Sequence, residues 1–259
     1  MQRLQGKTAI VTGGGQGIGE AIARRFAQEG AKTVVAERNA EIGAATAQKL
    51  ADETGSQVLF VHTDVADEPS VAAMYQATKA AFGSADILVN NAGIAVFKEP
   101  LDCTREDWLR CMSVDLDGVW TCCRTVLPDM LEKHDGAIIN IISNHAFSVI
   151  KSTFPYPVAK HALLGLTRSL GLEYADKGVA VNAISPGYTE TPLVRAYFET
   201  FDDPAAERAR VEAQQPVGRL CQPDEIAAVA AMLASDEARF MVGENIVIDG
   251  GVTIRMYED

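Results

Sequence analysis

The strongest constraint on the fold is a regular alternation of short apolar runs with longer segments of helical pattern. The first run, Thr8–Thr12, leads through a glycine-rich turn at 13–19 into an amphipathic helical segment. Later runs, such as Asp86–Asn90, read as continuous apolar strands. Such strands are typical of a parallel sheet that helices cover on both faces. The sequence therefore predicts a doubly wound α/β domain.

Length and composition fit one domain with one inserted segment. The 259 residues are 47% hydrophobic and 22% charged, which is enough to fill a substantial core. Since no linker or repeat interrupts the rhythm, residues 1–259 are predicted to form a single domain. Residues 188–217 are charged and helix-prone but lack a strand partner. An insertion at the carboxyl end of a strand predicts a substrate lid, the alternative being an ordinary pair of surface helices.

Charge and hydropathy argue against several classes of partner. With 23 basic and 35 acidic residues the formal net charge is −12, which does not favour nucleic acids or anionic membranes. No apolar run approaches the roughly 18 residues of a membrane span, and the start of the chain lacks an apolar signal-like stretch. The five cysteines have no disulfide or metal-ligand spacing. We therefore predict a cytoplasmic protein without a metal.

The glycine-rich turn indicates a phosphate-binding site. Gly13, Gly17 and Gly19 lie between a strand and a helix, which is the context that such a turn requires. Glycines allow the backbone to approach a pyrophosphate, and the helix amino terminus supplies N–H groups and partial positive charge. The spacing Gly-x-x-x-Gly-x-Gly differs from the common Gly-x-Gly-x-x-Gly fingerprint. The position of the turn, more than its spacing, predicts a dinucleotide site.

Residues after the second and third strands bear on the choice of dinucleotide. Glu37 ends the second strand, where a carboxylate can accept hydrogen bonds from the adenosine ribose and repel a 2′-phosphate. Gln16 is neutral where a basic residue would help to bind NADP, whereas Arg38 could serve a 2′-phosphate. These residues predict NAD, with NADP as the less favoured alternative. Asp64 is placed to meet the adenine amino group or, alternatively, to cap a helix.

A hydroxyl, a phenol and an ammonium group follow in the second half of the chain. They belong to Ser143, Tyr156 and Lys160. Positions i and i+4 share a helix face, so Tyr156 and Lys160 should be neighbours. An ammonium group beside a phenol favours the phenolate and lowers a pKa that starts at about 10. The pattern predicts proton exchange with an alcohol or carbonyl, although Tyr-x-x-x-Lys also arises by chance.

Taken together, the motifs resemble those of the short-chain dehydrogenase/reductase family. They are Thr12-Gly-x-x-x-Gly-x-Gly19, Asn90-Asn-Ala-Gly93, Ser143, Tyr156-x-x-x-Lys160 and Pro186-Gly187. The resemblance covers essentially the whole chain. It implies a Rossmann fold with a mostly seven-stranded parallel sheet, and hydride transfer to or from a bound nicotinamide. The long helices around Leu116 and Phe154 resemble those at family interfaces, so a homotetramer or homodimer is expected.

The resemblance also implies roles for individual residues. Tyr156 would be the general acid/base, Lys160 would tune it and hold the nicotinamide ribose, and Ser143 would hydrogen-bond the reacting oxygen. The predicted cofactor contacts are Gly13, Gln16, Gly17, Ile18, Gly19, Glu37, Asp64, Val65, Asn91, Tyr156, Lys160, Gly187, Thr189 and Thr191. The predicted substrate contacts are Ser143, Asn144, His145 and Tyr156.

One residue departs from the family pattern. The family usually has Asn in a run like Val-Asn-Leu-x-Gly, and this chain has Asp115 within Val114–Gly118. In the family that Asn holds, largely through its backbone carbonyl, a water that links the lysine to solvent. A backbone role can survive the change, and a carboxylate can also pair with the lysine. Asp115 is therefore predicted as a fourth catalytic residue whose side chain alters the proton relay.

The polar side chains near the predicted site favour a polar substrate. We predict an NAD-dependent oxidoreductase that interconverts a secondary alcohol and a ketone or lactone on a sugar, sugar acid or polyol. One alternative is an NADPH-dependent 3-oxoacyl-thioester reductase, against which the acidic charge, Gln16 and Glu37 argue. Another is a dinucleotide-binding regulatory protein, although such a protein has no need of Ser143, Tyr156 and Lys160.

Overall fold

The computed structural model describes residues 2–256, so residue 1 and residues 257–259 of the predicted domain lie outside the described residues. Nine strands form within the described part: β1 (Thr8–Thr12), β2 (Lys32–Glu37), β3 (Val58–His62), β4 (Ile87–Asn90), β5 (Phe97–Lys98), β6 (Gly136–Ile141), β7 (Phe154–Pro155), β8 (Val179–Pro186) and β9 (Asn245–Ile248). Seven of them build one parallel sheet in the order β3-β2-β1-β4-β6-β8-β9. The predicted doubly wound seven-stranded sheet is confirmed.

Helices cover both faces of this sheet. In chain order they are α1 (Gly17–Gln28), α2 (Ala40–Thr54), α3 (Glu68–Phe82), α4 (Arg105–Met112), α5 (Gly118–Lys133), α6 (Tyr156–Tyr174), α7 (Pro192–Phe198), α8 (Pro204–Gln214) and α9 (Pro223–Leu233). Successive residues of a strand face opposite sides. Accordingly Ala9 and Val11 join the core beneath α1 and α9, while Ile10 joins the core beneath α3, α5 and α6. Burial on both sides explains why the strands read as continuous apolar runs.

Local sequence signals fix several helix starts. Asp67 accepts a hydrogen bond from the backbone of Ser70 at the start of α3. Thr104 and Asp107 form the predicted reciprocal capping box at the start of α4. The sequence predicted one long helix from this box to about residue 131. The structure instead interrupts it with a π-helical turn at Ser113–Asp117, which places Asp115 among the buried residues.

Two further pieces lie at the carboxyl edge of the sheet. Strands β5 and β7 form a small antiparallel ribbon that pairs Phe97 with Pro155 and Lys98 with Phe154. The predicted lid segment, 188–217, folds as the helices α7 and α8. These helices share a small apolar cluster that includes Phe198 and Val211. The segment thus has its own packing, separate from the two cores that flank the sheet.

Candidate active site

Chain topology brings the predicted site residues to one edge of the sheet. Parallel strands β1, β4, β6 and β8 all end there, and ligands of open α/β sheets bind outside such carboxyl ends. The glycine turn follows β1, Asn91 follows β4, Ser143 follows β6 and Gly187 follows β8. Residues far apart in the sequence therefore surround one crevice.

The glycine turn forms a cradle that side chains would fill. Gly13 and Gly17 have φ angles of +60° and +59°, a left-handed conformation that favours glycine. A Cβ atom on Gly19 would lie 2.1 Å from the carbonyl oxygen of Gly13. Gln16, at the N-cap of α1, is exposed, and Ile18 packs partly buried against the core. Because the amino terminus of α1 lies at this cradle, a phosphate group would meet backbone N–H groups there.

Asn91 braces the cradle from the neighbouring strand. Its side-chain amide donates to the carbonyl oxygens of Thr12 and Gly13, both at 3.0 Å. In return, the Thr12 hydroxyl accepts hydrogen bonds from the backbone N–H groups of Asn91 and Ala92, at 3.0 and 3.1 Å. The resemblance implied a cofactor contact through the Asn91 backbone. The structure adds a side-chain role that the sequence analysis missed.

Two carboxylates lie where an adenosine would be recognised. Glu37 accepts hydrogen bonds from the backbone N–H groups of Gly15 at 3.3 Å and Asn39 at 2.9 Å. Its carboxylate thus lies against the glycine turn, as a ribose-binding acid requires. Asp64 accepts from the backbone of Ala66 at 3.0 Å and precedes the buried Val65. The alternative cap role for Asp64 is wrong, since Asp67 caps α3.

The start of the predicted lid lies on the other side of the cradle. Thr191 caps α7 by accepting a hydrogen bond from the Val194 N–H, and a Cβ atom on Gly17 would lie 3.3 Å from its methyl group. The buried Thr189 hydroxyl donates to the Gly187 carbonyl at 3.0 Å. The cradle, the two carboxylates and this lid base together fit a bound dinucleotide.

The predicted proton-exchange residues lie at the same edge of the sheet as the cradle. Ser143 follows β6 and is buried, and its hydroxyl accepts a hydrogen bond from the His145 N–H at 3.1 Å. Tyr156 is the first residue of α6, and Lys160 lies one turn later with its Nζ 5.2 Å from the centre of the phenol ring. The predicted i, i+4 neighbourhood of Tyr156 and Lys160 is therefore present.

The phenol is not tuned in the direction predicted from the sequence. Burial raises the pKa of Tyr156, and Asp115 adds to that rise. Lys160 and the Ser143 hydroxyl act in the opposite direction without overcoming it. The prediction of a net lowered pKa is thus wrong. The sequence shows the ammonium group but not the exclusion of water around the ring.

Asp115 lies directly against Lys160. Its Oδ1 is 3.0 Å from the lysine Nζ, and the two side chains are 0% and 5% exposed. Burial lowers the pKa of Lys160, but attraction by Asp115 and Tyr156 outweighs burial, so the pKa is raised. Cys111 lies four residues earlier, with its Sγ 3.9 Å from the Asp115 carboxylate. The i, i+4 spacing of Cys111 and Asp115 was a signal for this neighbour that the sequence analysis missed.

Two rings flank the phenol on the substrate side. Phe97 and His145 meet the Tyr156 ring edge to face, with ring centres 5.5 and 5.7 Å away. The His145 Nδ1 is buried and has no hydrogen-bond partner among residues 2–256. Burial, with a smaller contribution from His161, lowers the pKa of His145 and keeps its ring neutral. The Asn144 side chain lies beside Ser143, with its Oδ1 3.4 Å from the serine hydroxyl.

One carboxylate ties the two lid helices to the cofactor side. Glu190, between Thr189 and Thr191, lies 2.6 Å from a guanidinium nitrogen of Arg195 on α7 and 2.6 Å from one of Arg208 on α8. The Glu190 side chain is only 11% exposed. Burial raises the pKa of Glu190, but the two guanidinium groups outweigh it, so the pKa is lowered. Glu190 therefore stays ionised and holds both helices.

The described residues contain no group of His, Cys, Asp and Glu side chains that could hold a metal ion. No helix in residues 2–256 is both long enough and apolar enough to cross a membrane.

Both the sequence and the structure are similar to known oxidoreductases. A family model described as enoyl-(acyl carrier protein) reductase matches residues 13–253. The chain is 42% identical over 248 residues to a cis-4-hydroxycyclohexanecarboxylate dehydrogenase of Sinomonas cyclohexanicum, covering 95% of this chain and 96% of the relative. It is 40% identical over 255 residues to an NADP-dependent (R)-specific alcohol dehydrogenase of Lentilactobacillus kefiri, covering 97% and 98%. The crystal structure of a levodione reductase has a TM-score of 0.94 at 33% identity, covering 98% of this chain and 100% of that chain.

Proposed function

The chain belongs to the short-chain dehydrogenase/reductase family and is an NAD(P)-dependent oxidoreductase of CH–OH groups, and from that premise we propose its reaction in detail. The reaction is the interconversion of a secondary alcohol and a ketone or lactone, with Tyr156 as the proton donor and acceptor. The observation that carries this proposal is the meeting of Ser143, Tyr156 and Lys160 at the sheet edge that also holds the glycine turn.

Each of the three side chains has one task. The Tyr156 hydroxyl gives its proton to the substrate oxygen in reduction and takes it back in oxidation. Ser143 donates a hydrogen bond to the same oxygen, a fixed dipole where negative charge develops. Lys160 stabilises the phenolate that reduction leaves behind. A bound nicotinamide supplies the hydride chemistry, and this chain orients it and handles the proton.

We assign NAD as the preferred cofactor. The support is Glu37, whose carboxylate lies against the glycine turn where a 2′-phosphate would meet it. Gln16 adds no positive charge at the start of α1. Against this preference stand the exposed Arg38 and the NADP-dependent relative. The preference thus rests on one carboxylate that a single substitution can remove.

For the substrate, the polar pocket supports the predicted sugar, sugar acid or polyol. Its support is the pair of polar side chains Ser143 and Asn144 beside the phenol, because a polar group left without a partner disfavours a ligand that cannot match it. A second candidate is an alicyclic hydroxy acid. It is favoured by the Phe97 ring, by exposed apolar residues in the loop before α6 (Phe147, Val149 and Ile150), and by the hydroxycyclohexanecarboxylate relative.

A substrate panel tests these proposals. The purified protein is mixed with NAD or NADP and with aldoses, aldonates, polyols or hydroxycyclohexanecarboxylates, and formation of reduced nicotinamide is followed by absorbance. We expect turnover of at least one of these classes, faster with NAD. Turnover confined to NADPH and acetoacetyl thioesters would replace the proposal with the 3-oxoacyl-thioester reductase. Cofactor binding without turnover of any substrate would favour the dinucleotide-binding regulator.

We further propose that the protein acts in the cytoplasm as a homotetramer or homodimer without a nucleic-acid or membrane partner. Exposed apolar residues on α4, α5 and α6 (Leu109, Trp120, Val158 and Leu172) support an interface between copies. Light scattering of the purified protein measures the assembly, and a monomer at micromolar concentration would contradict it.

A further inference from the structure

The Asp115 carboxylate occupies a site that is built for it. Both of its oxygens lie 3.3 Å from the backbone N–H of Ile94, and Oδ1 lies 3.0 Å from the Lys160 Nζ. A buried carboxylate is tolerated only with such partners, because it has lost its hydration. An amide oxygen at this position could also accept from the Ile94 N–H, but only a carboxylate brings a negative charge to the Lys160 ammonium group. The negative charge beside Lys160, and not the hydrogen bond to Ile94, is therefore what Asp contributes at this position.

Neighbouring backbone makes room for this carboxylate. A Cβ atom on Gly93 would lie only 2.7 Å from the Asp115 Oδ1, so a side chain there would displace the pair. The π-helical turn at Ser113–Asp117 carries Asp115 into the interior while Asp117, two residues later, stays exposed. The pairing with Lys160 is thus a property of the surrounding fold and not of one flexible side chain.

We propose that Asp115 is a positioning residue that locks Lys160 in its ammonium form and shifts to higher pH the range in which Tyr156 acts as an acid. This inference rests on the proposed function, in which Tyr156 exchanges the proton. A lone ammonium group would favour the phenolate and lower the pKa of the phenol. With Asp115 beside it, the ammonium group belongs to a neutral pair whose effect on the phenol is weaker.

The groups that face the phenol come from several elements: Lys160 on α6, Asp115 on the π-helical turn, Cys111 on α4, and Ser143 and His145 after β6. His145 is neutral, and burial raises the pKa of Cys111 to about 12, so its thiol is neutral too. Besides burial, which raises the pKa of Tyr156 most, Lys160 and Asp115 are therefore the two charges that act on this pKa. Removing one of these two charges should therefore change the pKa of Tyr156.

The direction of the effect follows from the proton balance. In reduction the O–H bond of Tyr156 breaks, its proton goes to the substrate oxygen, and the substrate carbon gains the hydride. This step needs a protonated phenol, so kcat/KM for the ketone falls above the pKa of Tyr156. Oxidation needs the phenolate, so kcat/KM for the alcohol rises toward the same pKa. Asp115 raises that pKa and thereby extends reduction to higher pH, without altering the overall equilibrium.

The test compares Asp115→Asn with the original chain in pH profiles of kcat/KM in both directions. We expect both midpoints to move to lower pH by about one unit, the size of a charge effect at this range. Asp117→Asn is the matched control, since it removes the same charge two residues away from an exposed position. Its midpoints should stay where they are.

A second readout needs neither cofactor nor substrate. Tyrosinate formation is followed by ultraviolet absorbance in the free protein, and the same titration of a Tyr156→Phe variant isolates Tyr156 from the other five tyrosines. The Tyr156 midpoint should also fall in Asp115→Asn. This titration shows whether Asp115 raises the pKa of Tyr156 even if the substrate panel finds no turnover. Failure of the proposed function and failure of this inference can therefore be told apart.

Two outcomes would overturn the inference. One is an unmoved Tyr156 titration in Asp115→Asn, and the other is an equal shift in Asp117→Asn. Should Asp115→Asn fail to fold, Asp115→Ser removes the charge and leaves space for a water between Lys160 and the Ile94 N–H. The same downward shift is expected from that variant, and its absence would count equally against the proposal.

Discussion

The proposed cofactor side and the proposed substrate side of the same sheet edge are held together by different interactions. On the cofactor side, the buried Thr12 hydroxyl donates to the Val89 carbonyl, and partly buried hydrogen bonds of Asn91 join the same two strand ends. The packing around Gly19 leaves no room for a side chain. On the substrate side, a two-residue ribbon carries Phe97, and the lid helices depend on ion pairs of Glu190. One region is tied into the main interior, and the other is held by a small apolar cluster of its own together with ion pairs at its surface.

Because of this difference, the two sides should tolerate substitutions to different degrees. A buried hydrogen bond is costly to break, because its partner is left without water. Partly exposed ion pairs contribute little and rearrange easily. The binding of the dinucleotide is therefore expected to resist change in the lid, whereas selection of the substrate can vary without disturbing the cradle. Substitutions on each side can test this separation.

The largest effect is expected from Tyr156→Phe. Removing the proposed proton donor should lower kcat by about 10³-fold, because general acid–base groups contribute on that scale. The dissociation constant of the cofactor, measured by fluorescence titration, should change less than about twofold if the two sides are independent. Tyr174→Phe, the same change at the far end of α6, is the control. Substantial turnover in Tyr156→Phe would refute the assigned acid/base.

Gly19→Ala tests the rigidity of the cofactor side. Its new Cβ would meet the Gly13 carbonyl at 2.1 Å and the Asn91 amide nitrogen at 2.5 Å, so the cradle must shift. We expect a loss of roughly 3 kcal/mol in the free energy of unfolding, typical of overpacking, and a cofactor affinity at least about tenfold weaker. Gly165→Ala on α6 is the control, because within residues 2–256 an added Cβ there would have no atom within 4 Å apart from its own helix backbone. An unaffected Gly19→Ala protein would mean that the cradle is more pliable than its packing implies.

The two sides also differ in how far the sequence predicted them. The strands, the glycine turn, Glu37 and the Tyr156–Lys160 pair follow from local patterns, namely periodicity, glycine spacing and i, i+4 neighbours. The ion pair of Asp115, the Phe97 contact and the raised pKa of Tyr156 do not. They depend on tertiary packing around a π-helical turn and a two-residue ribbon, which have no signature in a single sequence. Local sequence patterns therefore predict the cofactor side better than the substrate pocket.

Glu37→Ala tests a single contact on the cofactor side. Loss of the carboxylate removes an acceptor for the ribose and the repulsion of a 2′-phosphate, so the preference for NAD over NADP should fall by about tenfold. The ratio of kcat/KM values for the two cofactors measures it. Glu41→Ala removes an exposed carboxylate at the start of α2 and should leave the ratio unchanged. An unchanged ratio in Glu37→Ala would argue against the proposed ribose contact.

Glu190→Gln should have the smallest effect of these substitutions, and that effect should concern the substrate and not the cofactor. A neutral amide holds Arg195 and Arg208 less firmly, so the lid helices should order less readily over the substrate. We expect the KM for the substrate to rise about threefold, as a weakened ion pair would give, with the dissociation constant of the cofactor unchanged. Glu212→Gln is the matched control, because Glu212 pairs with Arg208 within α8 and does not reach the lid base. Glu190 lies between Thr189 and Thr191, which are predicted cofactor contacts. A weaker cofactor affinity in Glu190→Gln would therefore show that the two sides are coupled through this residue and are not independent.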